Sequence, residues 1–261
     1  MPAGRVLTVI TALAMATGMA TAMAVPATVH AETTRIPVHV LSQDAKLIGS
    51  GVGGVWVTVT DTATGELLDQ GAHEGATGDT RKIMRLDPRE RDTRLFDTDG
   101  AAVFMAEFDL DEPTVVRISA TGPLGNPDAA MRATTEMLVT PGAEVGGDGV
   151  VLTLHGLNID ILEAAATDAG EPIRVLTNVG MMCGCPLTPG GLWDADSVTI
   201  TARLLRDGDM VAESELAYAG EASRFAGEVT PPEPGAYTLE IIGAQPSKAN
   251  FGHARMPLAI N

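Results

Sequence analysis

The residues with the most chemical potential in this chain are concentrated in one run, GMMCGCP at 180–186, which holds both of its cysteines, Cys183 and Cys185. In an extended backbone alternate residues share a face, so Met181, Cys183 and Cys185 would point together and Met182 away. Two thiolates and a thioether are soft ligands, the kind that selects Cu(I) over hard cations. Downstream, GHARM at 252–256 supplies His253 and Met256, a second pair of copper-type donors that joins the first if the two carrying strands are neighbours. In a turn the outcome differs. Residues two apart then lie about 5.5 to 6.5 Å apart at Cα, within reach of a disulfide, and Gly184 and Pro186 suit such a turn. Three readings follow for this segment: an inert clip, a soft-metal site, or a thiol-disulfide or sulfur-carrier pair. The conformation at Gly184 decides among them.

Other motifs offer less. GSGVGG at 49–54 has the glycine spacing of a dinucleotide loop, but VWVTVTD follows it. That is a strand, where the phosphate mechanism needs a helix N-terminus. DTDG at 97–100 begins like a calcium loop, yet loop position 12 is Phe108, and a turn is the better reading. There is no G-x-S-x-G elbow and no zinc spacing among the histidines. The absence of a recognisable nucleophile or acid–base pair argues against an enzyme. His39 and His155 alternate with apolar neighbours and read as structural. Trp56 reads as core, and Trp193, in a Gly-rich loop near the cysteines, is a candidate shield for them.

The elements that must position these residues are strands. In VGGVWVTVTD (52–61) valines alternate with Trp and Thr, and the same period of two recurs at 101–110, 114–122, 149–162, 197–205 and 236–244. Helical periodicity over ten residues is missing. Short strands between Gly, Pro, Asp and Asn turns predict an all-β fold of antiparallel sandwiches. The pattern lapses at 161–173, which places one domain at 35–162, a linker at 163–169 and a second domain at 170–261. The charged insert TRKIMRLDPRERDTRLFD (80–97) alternates arginines with acids closely enough to read as a self-paired exposed loop.

Residues 1–31 have one positive charge at Arg5, an apolar small-residue run and small residues before Ala31. That is the anatomy of a signal peptide, and it predicts a periplasmic or secreted protein. No later segment reaches the ~20 apolar residues of a membrane span. Cleavage would take the formal charge from −17 to −18, a surface that repels nucleic acid and anionic lipid. Exported cysteines meet an oxidising compartment, where a disulfide is their default fate.

VTVTDTATGELL, followed by FDTDGAAVFMAEFDLDEPTVVRISATGP, resembles the transthyretin-like or carboxypeptidase regulatory-like β-sandwich, with Asp61, Thr64, Gly65, Asp97, Asp99 and Gly100 carrying the match. SVTITARLLRDGD and FAGEVTPPEPGAYTLEIIGAQPSKANFGHARMPLAI are similar to bacterial Ig-like modules. The resemblance implies two antiparallel β-sandwich domains in tandem and does not specify an activity. The expected function is an exported, non-enzymatic binding or accessory protein working with another exported protein. Its specific chemistry is expected at Met181, Cys183 and Cys185, with His253 and Met256 as outer candidates and copper as the candidate cofactor.

Overall fold

Alternation of apolar and polar side chains builds the strands of this protein and also sets which face of each is buried. In the computed structural model, which describes residues 31–261 apart from Leu86 and Ala166, together with Met1 and Gly4, fourteen strands account for most of the chain. The expected signal peptide falls almost wholly outside the described residues. In β1 (Glu32–Ser42) Ile36, Val38 and Val40 are buried, in β2 (Val55–Asp61) Val55, Val57 and Val59, and in β4 (Phe104–Leu110) every second residue. β3 (Leu67–His73), β5 (Thr114–Gly122), β6 (Met131–Val139) and β7 (Val150–Leu154) complete the N-terminal half. β8 (Leu157–Ala164), β9 (Ile173–Met181), β10 (Thr199–Arg206), β11 (Asp209–Tyr218), β12 (Arg224–Val229), β13 (Gly235–Gln245) and β14 (Asn250–Ile260) follow.

The strands form three sheets, ordered β4-β1-β7, β3-β2-β5-β6 and β14-β13-β10-β11-β12-β9-β8. The fold is all-β, as expected, and neighbouring strands run antiparallel, with one exception. β7 lies parallel to β1, with Val38 opposite Val150 and Ser42 opposite Leu154. The seven-stranded sheet takes its first strand, β8, from residues that begin before the expected linker, since Leu157 pairs with Met181 and Ala164 with Val175. A single buried cluster runs through all three sheets, from Ile36, Val57 and Ile118 to Ile159, Val179 and Leu239.

The turns follow from local chemistry. At the β2–β3 turn the Asp61 carboxylate accepts the Ala63 N–H at 2.7 Å, and Gly65 takes a φ of +77° that a side chain would resist. Before β13, the Tyr237 hydroxyl donates to the Glu233 carbonyl at 2.8 Å, which fixes the PGAY corner. The charged insert departs from expectation. It starts with a short helix, α1 (Thr80–Met84), capped by Asp79 accepting from the Lys82 N–H at 2.8 Å. Ile83, Leu95 and Phe96 are buried in a second small core with Leu47 and Ala102. Among the described residues, the one ion pair within this segment is Lys82–Asp97, so the insert is held by its apolar residues and is not a self-paired loop.

Polar contacts made by Asn250, Trp193 and Asn126 help tie the N-terminal strands to the C-terminal ones, as does the Lys248–Asp44 ion pair at 3.2 Å. The Asn250 amide donates to the Gln43 carbonyl and to Gln245 Oε1, each at 3.2 Å, and its oxygen accepts the Gly156 N–H at 3.1 Å. Trp193 Nε1 donates to the Asp44 carbonyl at 3.0 Å. Asn126 donates to Asn158 Oδ1 at 2.7 Å and to the Ile159 carbonyl at 3.1 Å.

Candidate functional site

β9 ends at Met181, and the chain turns at once. The Gly184 N–H donates to the Met181 carbonyl at 2.8 Å, the Met181 N–H donates to the Cys185 carbonyl at 3.1 Å, and Gly184 has a φ of +76°. Only glycine takes that conformation without a steric penalty. Its bare Cα also lets Val52 approach, since a Cβ at Gly184 would lie 2.9 Å from Val52 Cγ1. The backbone is therefore a turn and not the extended segment that would align Met181, Cys183 and Cys185 as three free donors. Cys183 and Cys185 are bridged, with their Cα atoms 5.4 Å apart. The cysteines are 4% and 5% exposed, and Met181 and Met182 are fully buried. Met182, expected to point away, packs against Gly156, where a Cβ would meet its sulfur at 3.0 Å.

The second donor pair lies on β14, which is hydrogen-bonded to β13, with His253 opposite Ile242 and Met256 opposite Leu239, and which also packs against β8. His253 is exposed and lines a shallow cavity with Met131, Phe251 and Glu240, while Met256 packs on the core. Among the described residues no group of three or more His, Cys, Asp or Glu side chains is placed to hold a metal ion. Cys183, Cys185 and His253 therefore do not form such a group. Trp193 packs against the main core and is anchored through its N–H to Asp44, as part of the junction between halves.

Two buried histidines escaped the sequence reading as a pair. His73, at the end of β3, is wholly buried. Its Nε2 accepts the Val40 N–H at 3.1 Å, and its Nδ1 lies 3.0 Å from the Ile48 carbonyl, which can only accept. One ring nitrogen accepts and the other donates, so this site fits the neutral imidazole alone. Burial and the nearby His39 push its pKa down to about 4. His39 points to the same side of β1 as Pro37 and lies edge-on to His73 at 6.4 Å between ring centres. Its Nδ1 is 2.9 Å from the Ala102 carbonyl, its ring is 4.8 Å from that of Phe96, and burial lowers its pKa as well. Alternation with apolar neighbours signalled burial of His39, but its pairing with His73 depends on β1 and β3 meeting, which spacing does not reveal. Trp56 was misplaced in the opposite sense. It is 42% exposed, because the buried positions of β2 are the valines on either side of it. His155 is exposed at the break between β7 and β8, with Nδ1 3.2 Å from the Ala249 carbonyl.

No family model matches the chain, and no curated protein matches it. Among solved structures it is similar to an engineered protein, at 17% identity over 47% of this chain and 24% of that one, with a TM-score of 0.29. The chain thus spans about a quarter of that protein's length. It is also similar to the fibronectin(III)-like modules of Clostridium thermocellum CbhA, at 11% identity over 88% of this chain and 94% of that one, with a TM-score of 0.27. A third likeness is to a DUF3823 family protein from Parabacteroides merdae, at 9% identity over 89% and 100%, with a TM-score of 0.28. Likeness at this level assigns no activity, and the functional reading rests on the chain's own residues.

Proposed function

We propose that the chain is an exported binding or accessory module of β-sandwich type, in which the Cys183–Cys185 bridge is a structural clip. The observation that carries this reading is the burial of the bridge in a tight turn against Val52. Thiol exchange requires a thiolate to reach one of the two sulfurs from outside, and walls of core side chains oppose that approach. A copper site needs free thiolates, so soft-metal binding at Met181, Cys183 and Cys185 would require the bond to be reduced first. The Asp61–Gly65 and Asp97–Gly100 turns support a transthyretin-like pattern for the N-terminal half, and the partner is another exported protein. The edge strand β6 of the four-stranded sheet is where such a partner could add a strand.

Mass spectrometry of the folded protein from its own compartment, with and without a mild reductant, tests the reading. A bond that persists until denaturant is added, with no bound metal, supports the clip. Rapid reduction of the folded protein would overturn it in favour of a thiol-disulfide role. Stoichiometric Cu(I) binding that is lost in Cys183→Ser and Cys185→Ser would overturn it in favour of a metal carrier.

A further inference from the structure

β6 closes one side of the four-stranded sheet, and its own outer side is left unpaired. It runs against β5 from Met131 opposite Gly122 to Val139 opposite Thr114, and among the described residues it makes no backbone hydrogen bond to any other segment. β7 packs beside it without pairing, and the core-facing Met131, Ala133, Thr135 and Met137 all stay partly exposed, so the edge is not covered along its length. Other edges are better protected. Glu74, next to β3, bridges to Val103 beside β4, and β14 packs against β8. Proteins blunt free edges with proline, bulges or inward-pointing charges. β6 has none of these: its nine residues include no Pro or Gly, its register with β5 is unbroken, and its two charges, Arg132 and Glu136, are both on the exposed face.

We propose that β6 pairs with the β6 of a second copy of this chain, antiparallel and centred on Thr134. The proposal rests on the reading of β6 as a strand-adding edge, and it names the chain that the edge takes. The order of side chains argues for a second copy. A two-fold axis through Thr134 sets Arg132 opposite the second copy's Glu136, twice by symmetry, with Met131 opposite Met137 and Ala133 opposite Thr135. Directly opposed residues share a face, so the charges meet on the exposed face and the apolar side chains on the inner one. Centring the axis on Ala133 or Thr135 instead sets both charges against uncharged residues. Both groups have capacity to spare. Arg117 donates to Glu136 from Nε at 2.8 Å and approaches with Nη2 at 2.7 Å, each time at Oε1, which leaves Oε2 open. Arg132 spends its Nε on the Thr121 hydroxyl at 3.1 Å and has no ion pair among the described residues. At the strand ends Leu138, 62% exposed beside β5, gains Ala130, whose backbone is already extended. The strand carries no net charge, whereas the chain as a whole, at −17, repels its own copies.

Sedimentation equilibrium of the folded protein across the micromolar range, with amide hydrogen exchange read along β6, tests this. The expected result is a monomer–dimer equilibrium in which exchange at β6 slows in the dimer. Arg132→Glu and Glu136→Arg, both at exposed positions, each set like charges opposite one another twice. Either one alone should weaken dimerisation by about tenfold or more. Mixing the two variants restores opposite charges at both positions, so a heterodimer within about threefold of the native affinity should form. A protein that stays monomeric throughout, a dimer indifferent to both substitutions, or a mixture that does not pair would each overturn the proposal. The underlying reading of β6 fails separately. Fast exchange along β6 in a persistent monomer overturns self-pairing and leaves the edge open to a different exported protein, whereas slow exchange there means that the edge is covered and overturns strand addition as well.

Discussion

His73 determines how this protein responds to acid. Because its folded pKa is depressed to about 4 from an ordinary value near 6.5, the unfolded chain binds the proton more readily between those limits. Stability is therefore full above pH 6.5 and is lost as the pH falls toward 4. At about 1.4 kcal/mol per unit, this one group accounts for on the order of 3 kcal/mol. His39 is shifted in the same direction and adds to the loss. Asp61, Asp79 and Asp97 have lowered pKa values, from backbone donors at the first two and Lys82 at the third. Their contribution holds above the ordinary carboxylate range and disappears on further acidification. Urea midpoints measured from pH 7 to 4 should show this slope in the native chain and a much shallower one in His73→Gln. At this scale the sequence was half legible. It marked Gly184 as a turn residue, but the exposure of Trp56 depended on which face of β2 meets the core. The valines decided that.

At the scale of elements, the contact between β8 and β14 depends on a missing side chain. A Cβ on Gly252 would fall on the Leu157 carbonyl, a backbone atom that cannot swing aside. Gly252→Ala should therefore push β14 off β8 and destabilise by about 3 kcal/mol, read as a drop in the urea midpoint. The segment that forms this strand was visible in the sequence through its Ig-like resemblance, whereas the partner that requires the glycine was not. The insert at 80–97 shows the same limit. Its charges dominate the composition, but three apolar side chains, Ile83, Leu95 and Phe96, determine its placement. They are too sparse to form a period, so only their burial identifies them.

The whole molecule is held by a core continuous across all three sheets and by the polar junction around Asn250. Replacing Asn250 with alanine leaves the buried Gly156 N–H and the Gln43 carbonyl without a partner, at a cost of about 1 to 3 kcal/mol for each buried group. Because residues 31–261 form one contact unit, Asn250→Ala should lower a single calorimetric transition without splitting it. Two resolved transitions would mean that the halves fold independently. The all-β class was plain from periodicity, because alternation is a local property. The strand order β14-β13-β10-β11-β12-β9-β8 and the parallel pairing of β7 with β1 were not, because pairing across a hundred residues leaves no trace in spacing.

The bridge between residues two apart also has a practical consequence. Trypsin cuts after Arg174 and Arg203 and has no site between them, so both cysteines travel in one peptide. The oxidised and reduced forms of that fragment differ by two hydrogens and need no cross-linked partner to be identified. The redox history of the protein can therefore be counted molecule by molecule in a crude extract, before purification has had time to change it.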